Sequence, residues 1–472
     1  MSIIKSNLKI LMSHKKHVVF IVPDGVGIKN YLYSELLKYV DEFAKVTIWS
    51  PLPESAFEEV KHLHKVEILY KQLTLHSESI LTRLYRESAS YARLCYNAEK
   101  TQNQTILLNW KRPKGNLKLG LLYRVAETIG SWAKTNYSRI LGLEKRSVKH
   151  WSSNIIESYK TDLKDLNADS IFITHQRVPG LMPICLAAKA LNIKSTTAIF
   201  SWDNLPKARL CVSTDYYILW SNWMKSDMNV FYPEINETQL KIVGTPQFEF
   251  YKQNDRVSDR ASFAKTYGLN PKSKWICFSG DDEYTSPYDP VYLNDIAEAV
   301  SLLDGPIQLI FRRCPVDFTS RYDTVLEKYK NLIVSIDPIW HTDSEAWVGY
   351  FSKPDDVDLQ VNLANHCEGV INLGSTMALD FATFNKPCVY LNYDVVKDDN
   401  WSTEFIYKFH HFKSMKDLEA VGWINSKSEI SNIVVDLLNE NSSIGKDKKL
   451  WLEKLVLCPL EANSIKLANI LQ

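Results

Sequence analysis

Residues 369–380 read GVINLGSTMALD, and this stretch decides the fold. The run from Gly369 to Asn372 is short and apolar, as expected for a strand buried inside a parallel sheet. Gly374 permits a tight turn, and helical spacing follows from Ser375 to Phe384. A buried strand, a glycine turn and a helix form the repeating unit of a parallel α/β sheet.

The same unit recurs on both sides of this stretch, and a polar segment at 251–274 separates two series of it. A chain of 472 residues suits two domains. We therefore predict an α/β protein with two Rossmann-like, doubly wound domains facing a cleft, one over residues 1–250 and one over 251–472. The predicted strands are 17–22, 46–49, 170–174, 195–200, 215–220, 240–243, 275–279, 307–311, 331–335, 369–372 and 388–391.

Composition and charge narrow the class of protein. The net charge is +1 and 24% of residues are charged, so a soluble globular protein is expected and no nucleic-acid partner is predicted. Apolar runs such as 18–22 are far shorter than the ~20 residues of a membrane helix. The segment before Lys15 and Lys16 lacks a signal-peptide pattern, which predicts a cytoplasmic location. The eight cysteines form no CxxC pair and the histidines show no zinc spacing, so no metal site is predicted.

Residues 70–150 interrupt the α/β pattern and have a helical composition. They hold 15 Lys and Arg against 5 Asp and Glu, with aromatic residues interleaved. We interpret them as a basic helical insertion in the first domain. One interpretation is a solvated basic face. The other is a surface for an anionic acceptor or for the headgroups of the inner membrane, which would place the protein peripherally at that membrane's cytoplasmic face.

The turn after strand 369–372 is the strongest candidate for a phosphate site. The start of a helix presents unpaired N–H groups, and the hydroxyls of Ser375 and Thr376 could add donors beside Gly374. Asp380 follows Thr376 by four residues on the same helix face and could accept hydrogen bonds from a ribose. The alternative is an ordinary serine cap with a solvated aspartate.

Two further turns in the second domain carry residues suited to a nucleotide. Arg312 and Arg313 follow strand 307–311, and a guanidinium binds phosphate in a bidentate manner. Only one of the two can face a cleft, and Arg312 is preferred. Gly280 follows strand 275–279 and suits close approach of a ligand to the backbone.

The first domain supplies candidates for the acceptor side. In the segment PDGVG, Gly25 and Gly27 could let an acceptor approach, and Asp24 is a candidate general base. His175 follows strand 170–174 and is the second candidate, since its ordinary pKa suits proton removal from a hydroxyl; a structural histidine is the alternative. Asp356 and Asp358 look like a metal-binding DxD, but Asp358 more simply caps the following helix.

A family resemblance rests on several landmarks in order. They are SWDNL at 201–205, DYYILWS at 215–221, KIVGTPQ at 241–247, LIFRRCP at 309–315 and INLGSTMALD at 371–380 with Lys386-Pro387. The set resembles bacterial GT-B fold glycosyltransferases of surface-polysaccharide pathways, and is similar to UDP-GlcNAc 2-epimerases and CDP-glycerol glycerophosphotransferases.

The resemblance implies a nucleotide-binding second domain, an acceptor-binding first domain and no essential metal. It also implies phosphate contacts at Gly374, Ser375 and Thr376, a ribose contact near Asp380, and a cleft position for the three residues Trp202, Asp203 and Asn204. Cys314-Pro315 stands where relatives often continue with Pro-His-Pro, so one histidine contact is missing. Asn372 and Asp380 replace the glutamate pair of many retaining members.

Together these features predict a glycosyltransferase that moves a sugar from a nucleotide-sugar donor to a cell-envelope glycan or a lipid-linked acceptor. The nucleotide sugar is a co-substrate, and no cofactor is predicted. Transfer of a polyol phosphate from a CDP donor is an enzymatic alternative, and a non-catalytic binding protein is a second. Epimerisation requires more acids and histidines in the cleft than the sequence can place.

Overall fold

Seven parallel strands form the first sheet, in the order β3-β2-β1-β4-β5-β6-β7. The computed structural model describes residues 15–341, 350–399 and 401–472. The interior strand β1 is apolar and buried from Val18 to Ile21, as a strand covered by helices on both faces must be. The seven strands, numbered in chain order, are Lys16–Ile21 (β1), Ala44–Ser50 (β2), Ile68–Gln72 (β3), Ser170–Ile173 (β4), Lys194–Ala198 (β5), Tyr216–Leu219 (β6) and Leu240–Ile242 (β7).

Helices connect these strands, and four of them lie between β3 and β4. Ser79, Asn116 and Asn136 each cap the start of one by accepting a hydrogen bond from a backbone N–H of its first turn. These four helices are Ile80–Thr101, Leu117–Ala133, Tyr137–Lys149 and Ser153–Asp165. The other helices of this half include Leu36–Asp41, Glu58–His64, Met182–Ala190 and Asn222–Phe231.

Six parallel strands form the second sheet, in the order β10-β9-β8-β13-β14-β15. These strands are Lys274–Ser279 (β8), Ile307–Arg312 (β9), Ile333–Ile336 (β10), Gly369–Asn372 (β13), Cys388–Leu391 (β14) and Gly422–Ile424 (β15). Two short strands, Trp340–His341 (β11) and Phe351–Ser352 (β12), pair antiparallel. The helices are Arg260–Tyr267, Asp289–Ser301, Asp323–Lys328, Pro354–His366, Met377–Thr383, Thr403–Tyr407, Ile430–Leu437, Lys448–Leu455 and Asn463–Leu471.

The last helix, Asn463–Leu471, returns to the first sheet. The hydroxyl of Ser170 donates to the carbonyl of Leu471 at 3.4 Å, and Lys194 donates to the carbonyl of Ile470 at 2.9 Å. Glu249, in the segment that joins the two sheets, accepts from the Ser464 hydroxyl at 2.6 Å. The two halves are therefore joined both by the chain crossing at residues 246–252 and by the C-terminal helix.

The predicted fold class, two Rossmann-like doubly wound domains with a helical insertion in the first, is confirmed. Two edge strands were not predicted. β3 lies at the start of the segment interpreted as helical, and β15 has only three residues. Both lie at sheet edges, where partial exposure removes the continuous apolar run that marks a buried strand.

Candidate active site

Each sheet has a switch point, where neighbouring strands send their following connections to opposite faces. In the first sheet this point lies between β1 and β4, and in the second between β8 and β13. A crevice opens at the carboxyl ends of the strands at such a point, and ligands of open α/β sheets bind there. Asp24 and His175 follow β1 and β4, and the Gly374-Ser375-Thr376 turn follows β13.

The two candidate bases of the first domain lie in contact. Nδ1 of His175 is 2.5 Å from Oδ2 of Asp24. Asp24 also accepts from the backbone N–H of Val26, which fixes its carboxylate. The His175 ring packs edge-on against Phe200, with ring centroids 4.3 Å apart. Both ring nitrogens are buried, and among the described residues neither makes a hydrogen bond of acceptable geometry, although Nδ1 lies close to the Asp24 carboxylate.

A cavity of about 390 Å³ lies between the two halves, and we name it the cleft cavity. Trp202 and Asp203 line it from the first domain, and Gly374, Ser375 and Thr376 line it from the second. Its volume lies within the range of small-ligand sites. Two of the five segments that carry the family resemblance, 201–205 and 371–380, therefore border one cavity.

Asp203 is held in place by three side chains. It accepts from Ser201 at 2.6 Å, from Asn204 at 2.8 Å and from Lys207 at 2.5 Å. Burial alone would raise the pKa of the Asp203 carboxyl, but Lys207 and His411 hold that pKa below its ordinary value. Asp203 is therefore an ionised carboxylate in the cleft. Asn204 is itself buried and positions Asp203 rather than lining the cavity.

The turn Gly374-Ser375-Thr376, which was predicted to bind phosphate, lines the cleft cavity. Two backbone N–H groups at this turn already donate to side chains of the protein. Asn372 accepts from the amide of Ser375 at 2.8 Å, and the Ser375 hydroxyl accepts from the amide of Met377 at 3.4 Å. The helix that follows has only seven residues, Met377–Thr383. Thr376 is exposed to the cleft. The hydroxyls of Ser375 and Thr376 thus offer more to a ligand here than the helix start does.

Arg312 and Arg313 have protein partners in place of the predicted phosphate. Arg312 is buried and donates to Asp356 at 2.5 Å. Arg313 donates to the carbonyl of Thr319 at 2.8 Å and lies 3.5 Å from Asp337. Within the described residues, neither arginine lines the cleft cavity. Asp356 serves as the counter-ion of Arg312.

The predicted helix cap at Asp358 is wrong. Its helix begins at Pro354, with Lys353 at the N-cap position and no side-chain capping bond, and Asp358 instead pairs with Arg256 at 2.6 Å.

Asp380 lies behind the cleft cavity, in a smaller cavity of about 190 Å³ that we name the inner cavity. It accepts from Gln360 at 2.7 Å, and burial raises its pKa. Lys29 also lines the inner cavity and donates to Gln360 at 2.6 Å. Ser201 and Thr376 line both cavities, so the two are neighbours.

Four glycines that were predicted to let a ligand approach have different surroundings. A side chain at Gly25 would meet Phe351, and one at Gly27 would lie 2.3 Å from the Thr174 hydroxyl. One at Gly280 would lie 2.9 Å from the Tyr322 hydroxyl. Protein atoms therefore fill these three approaches. Gly374 has φ of +75°, and a Cβ there would lie 2.7 Å from Phe412, so the turn requires glycine.

Sequence reasoning missed three residues that line the cleft cavity, namely Lys111, Lys207 and His411. Lys111 belongs to the basic insertion, and only the tertiary fold shows which of its cations faces the cleft. His411 packs edge-on against Trp202, with ring centroids 4.7 Å apart. Its sequence signal is the adjacent pair His410-His411, which lacks the spacing of a zinc site.

The titration of His411 gives a testable pH dependence. Burial lowers the pKa of His411 to about 4, although the Asp203 carboxylate acts in the opposite direction. Below pH ~6.5 the histidine of the unfolded chain binds a proton, whereas His411 in the folded protein stays neutral until the pH approaches 4. Protonation therefore favours the unfolded chain, and the free energy of unfolding falls as the pH is lowered from about 6.5 to 4. Between pH 7 and pH 4, we expect the free energy of unfolding to fall by up to about 3 kcal/mol less in His411→Asn than in the wild type.

Urea unfolding of both proteins at a series of pH values measures this difference. His62→Asn, at an exposed histidine of the first domain, is the matched control and should leave the pH profile unchanged. Parallel profiles for the wild type and His411→Asn would contradict the effect assigned to His411.

Comparison with known proteins defines the fold. No protein-family model matches the chain, and no curated protein matches its sequence. The UDP-GlcNAc 2-epimerase from Methanocaldococcus jannaschii is 10% identical with a TM-score of 0.51, over 96% of this chain and 99% of that one. The glycosyltransferase from Rickettsia africae is 11% identical with a TM-score of 0.51, over 97% and 98%. The S. aureus MnaA structure with UDP is 11% identical with a TM-score of 0.51, over 96% and 95%.

The chain therefore has the GT-B fold, and the resemblance predicted from its sequence is confirmed at that level. Its solved neighbours include UDP-GlcNAc 2-epimerases and a glycosyltransferase. In the described part of the chain, no helix is long and apolar enough to cross a bilayer. No group of three or more metal-ligating side chains is found in that same part.

Proposed function

We propose that this protein transfers a glycosyl group from a nucleotide-sugar donor to an acceptor that enters between the two domains. The observation that carries the proposal is the cleft cavity, which Trp202 and Asp203 border from one sheet and Ser375 and Thr376 from the other. Ligands of open parallel sheets bind at this edge, and the GT-B neighbours include proteins named for their action on UDP-GlcNAc.

The donor's phosphates would lie against the Ser375-Thr376 turn. The two hydroxyls would donate hydrogen bonds to the phosphate oxygens. Lys111 and Lys207, which line the same cavity, would compensate the negative charge of the phosphates. Stabilising the negative charge that develops on the leaving nucleoside diphosphate is the electrostatic part of the catalysis. In this proposal the two lysines take the role that the sequence suggested for Arg312.

The Asp24–His175 pair would supply the base. With Asp24 against Nδ1, Nε2 of His175 accepts the proton of the acceptor hydroxyl. The acceptor oxygen then attacks the anomeric carbon, the bond from that carbon to the phosphate oxygen breaks, and the nucleoside diphosphate leaves with the electron pair. His175 itself lines neither cavity, and its ring packs on Phe200, which lines the inner cavity. The acceptor would therefore have to displace Phe200 from the inner cavity to reach the buried Nε2.

Epimerisation of a nucleotide sugar is the second candidate. The sequence offered too few cleft acids and histidines for it, but Asp203, Asp281, His410 and His411 all line the cleft cavity. Incubation with UDP-GlcNAc and no acceptor separates the two functions. A new sugar epimer observed by NMR would favour epimerisation, whereas transfer requires an acceptor.

The binding step is tested first with a thermal-shift panel of nucleoside diphosphates. A ligand at a hundred times its dissociation constant adds about 2.7 kcal/mol to the stability, so one base should raise the melting temperature clearly. Turnover is then sought with the nucleotide sugars and CDP-alcohols of that base. No shift with any nucleotide at millimolar concentration would contradict the proposal and favour a non-catalytic binding protein.

Removing two hydroxyls should weaken nucleotide binding. We expect the double variant Ser375→Ala, Thr376→Val to bind the preferred nucleoside diphosphate at least about 100-fold more weakly, because two hydrogen bonds to a charged group are lost and each contributes about 1.5–3 kcal/mol. Isothermal titration measures the change. Thr383→Val, at the other end of the same helix and outside the cavity, is the matched control. Equal affinity in the double variant and the control would exclude this phosphate site.

A further inference from the structure

The helix Leu117–Ala133 of the insertion, which we name the rim helix, is apolar on two opposite faces. One face is buried against the rest of the insertion and contains Tyr123, Ala126, Gly130 and Ala133. A helix that is apolar all round is normally buried on all sides. The opposite face of the rim helix is nevertheless open to solvent.

The open face carries an apolar stripe with one hydroxyl residue, Thr128, inside it. Leu117 is 94% exposed, Leu121 64%, Val125 41% and Trp132 55%. Four-residue steps advance about 40° around a helix, so Leu117, Leu121 and Val125 lie side by side, and Trp132 falls between the last two in projection. Solitary exposed apolar residues are ordinary, but a contiguous stripe indicates a surface that contacts another body.

Cations border this stripe on both sides. In projection Arg124 lies beside Leu117 and Lys118 lies beside Val125, and both cations are exposed. The single acid of the helix, Glu127, lies outside the stripe and is paired with Arg112. An apolar stripe with leucine and tryptophan between lysine and arginine is the pattern of a helix that lies in the interface of an anionic bilayer.

We propose that the rim helix docks this protein on an anionic membrane surface, with Leu117, Leu121, Val125 and Trp132 entering the headgroup region. The whole insertion carries an excess of ten positive charges over residues 70–150. That charge attracts anionic lipid and repels a second copy of the same face, which favours a membrane over a symmetric dimer as the occupant.

The rim helix lies close to the cleft cavity along the chain. Leu108 and Lys111 line the cleft cavity, and the rim helix begins six residues after Lys111. Docking would therefore hold the mouth of the cleft near the bilayer surface. If the proposed transferase function is correct, that position suits an acceptor carried on a lipid.

The experiment measures sedimentation of the full chain with vesicles of phosphatidylcholine alone and of phosphatidylcholine mixed with phosphatidylglycerol. The wild type should bind the anionic vesicles and lose that binding as salt rises. Leu117→Asp with Leu121→Asp should bind at least about tenfold more weakly, because two apolar contacts are lost. Lys118→Glu should weaken binding to anionic vesicles about fivefold or more.

Leu302→Asp with Val435→Asp is the matched control, since these two exposed apolar residues lie in the second half of the chain, at 79% and 55% exposure. Circular dichroism confirms that each variant is folded. Light scattering reports the mass of the wild type in solution. No preference of the wild type for anionic vesicles would overturn the proposal, as would a wild-type dimer that Leu117→Asp with Leu121→Asp converts to a monomer.

Vesicle binding is measured without nucleotide, so failure of the transferase proposal would leave this result standing. Conversely, the rim-helix variants should keep the nucleotide-induced thermal shift of the wild type, because their side chains lie outside the cleft cavity. Loss of vesicle binding with an intact nucleotide response is the expected result.

Discussion

Replacing Arg312 with alanine is expected to lower the free energy of unfolding by about 3–5 kcal/mol, because it leaves a buried carboxylate without its counter-ion. The side chains of Arg312 and Asp356 are 7% and 1% exposed, and their charged atoms are 2.5 Å apart. Asp356 also accepts from the amide of Ile339 and from the indole of Trp340, at 2.8 and 2.9 Å. Urea unfolding at neutral pH measures the loss.

The neighbouring residue supplies the control for Arg312→Ala. Arg313 pairs with Asp337, whose side chain is 74% exposed, so Arg313→Ala should cost less than about 1 kcal/mol. Arg312→Met combined with Asp356→Asn should recover part of the lost stability, since no unpaired buried charge remains. A stable Arg312→Ala protein that fails to bind nucleotide would instead support the phosphate role suggested by the sequence.

The sequence predicted the fold well because buried parallel strands leave a strong local signal. Runs such as HVVFIV at 17–22 and GVIN at 369–372 are apolar throughout, and each precedes a glycine turn and a helix. The positions of Asp24, His175, Ser375 and Thr376 after such strands place them at the ligand-binding edge without tertiary information. The C-terminal helix gives no such signal of its partner, because its packing on the first sheet depends on contacts remote in sequence.

The site was harder to predict because neighbouring residues in sequence can face different environments. Trp202 and Asp203 line the cleft, whereas Asn204 turns inward and accepts from Gln176 at 3.1 Å. Arg312 was preferred as a phosphate ligand on charge alone, and a charge pattern does not reveal a counter-ion 44 residues further along the chain. For the same reason the pairing of Asp24 with His175, 151 positions apart, could not be read from either residue's motif.

The proposed base pair predicts the largest effect on the reaction. We expect His175→Gln to reduce kcat about 10²–10⁴-fold with the donor and acceptor identified by the screen, because the acceptor hydroxyl loses its proton acceptor. Asp24→Asn should reduce kcat by a factor in the same range. An asparagine can still cap the turn at Val26, but its amide group can face Nδ1 and favour the tautomer in which Nε2 carries the proton. The combined variant should lose little more activity than either one, since the two side chains act as a unit.

Binding and activity measurements separate this role from a structural one. Both variants should keep the nucleotide affinity of the wild type, because neither residue lines the cleft cavity in the described structure. Activity within threefold of the wild type would rule out His175 as the base. Of the titratable side chains that do line the cleft cavity, Asp203 would then be tested next, because its carboxylate is ionised and borders the same space as Thr376.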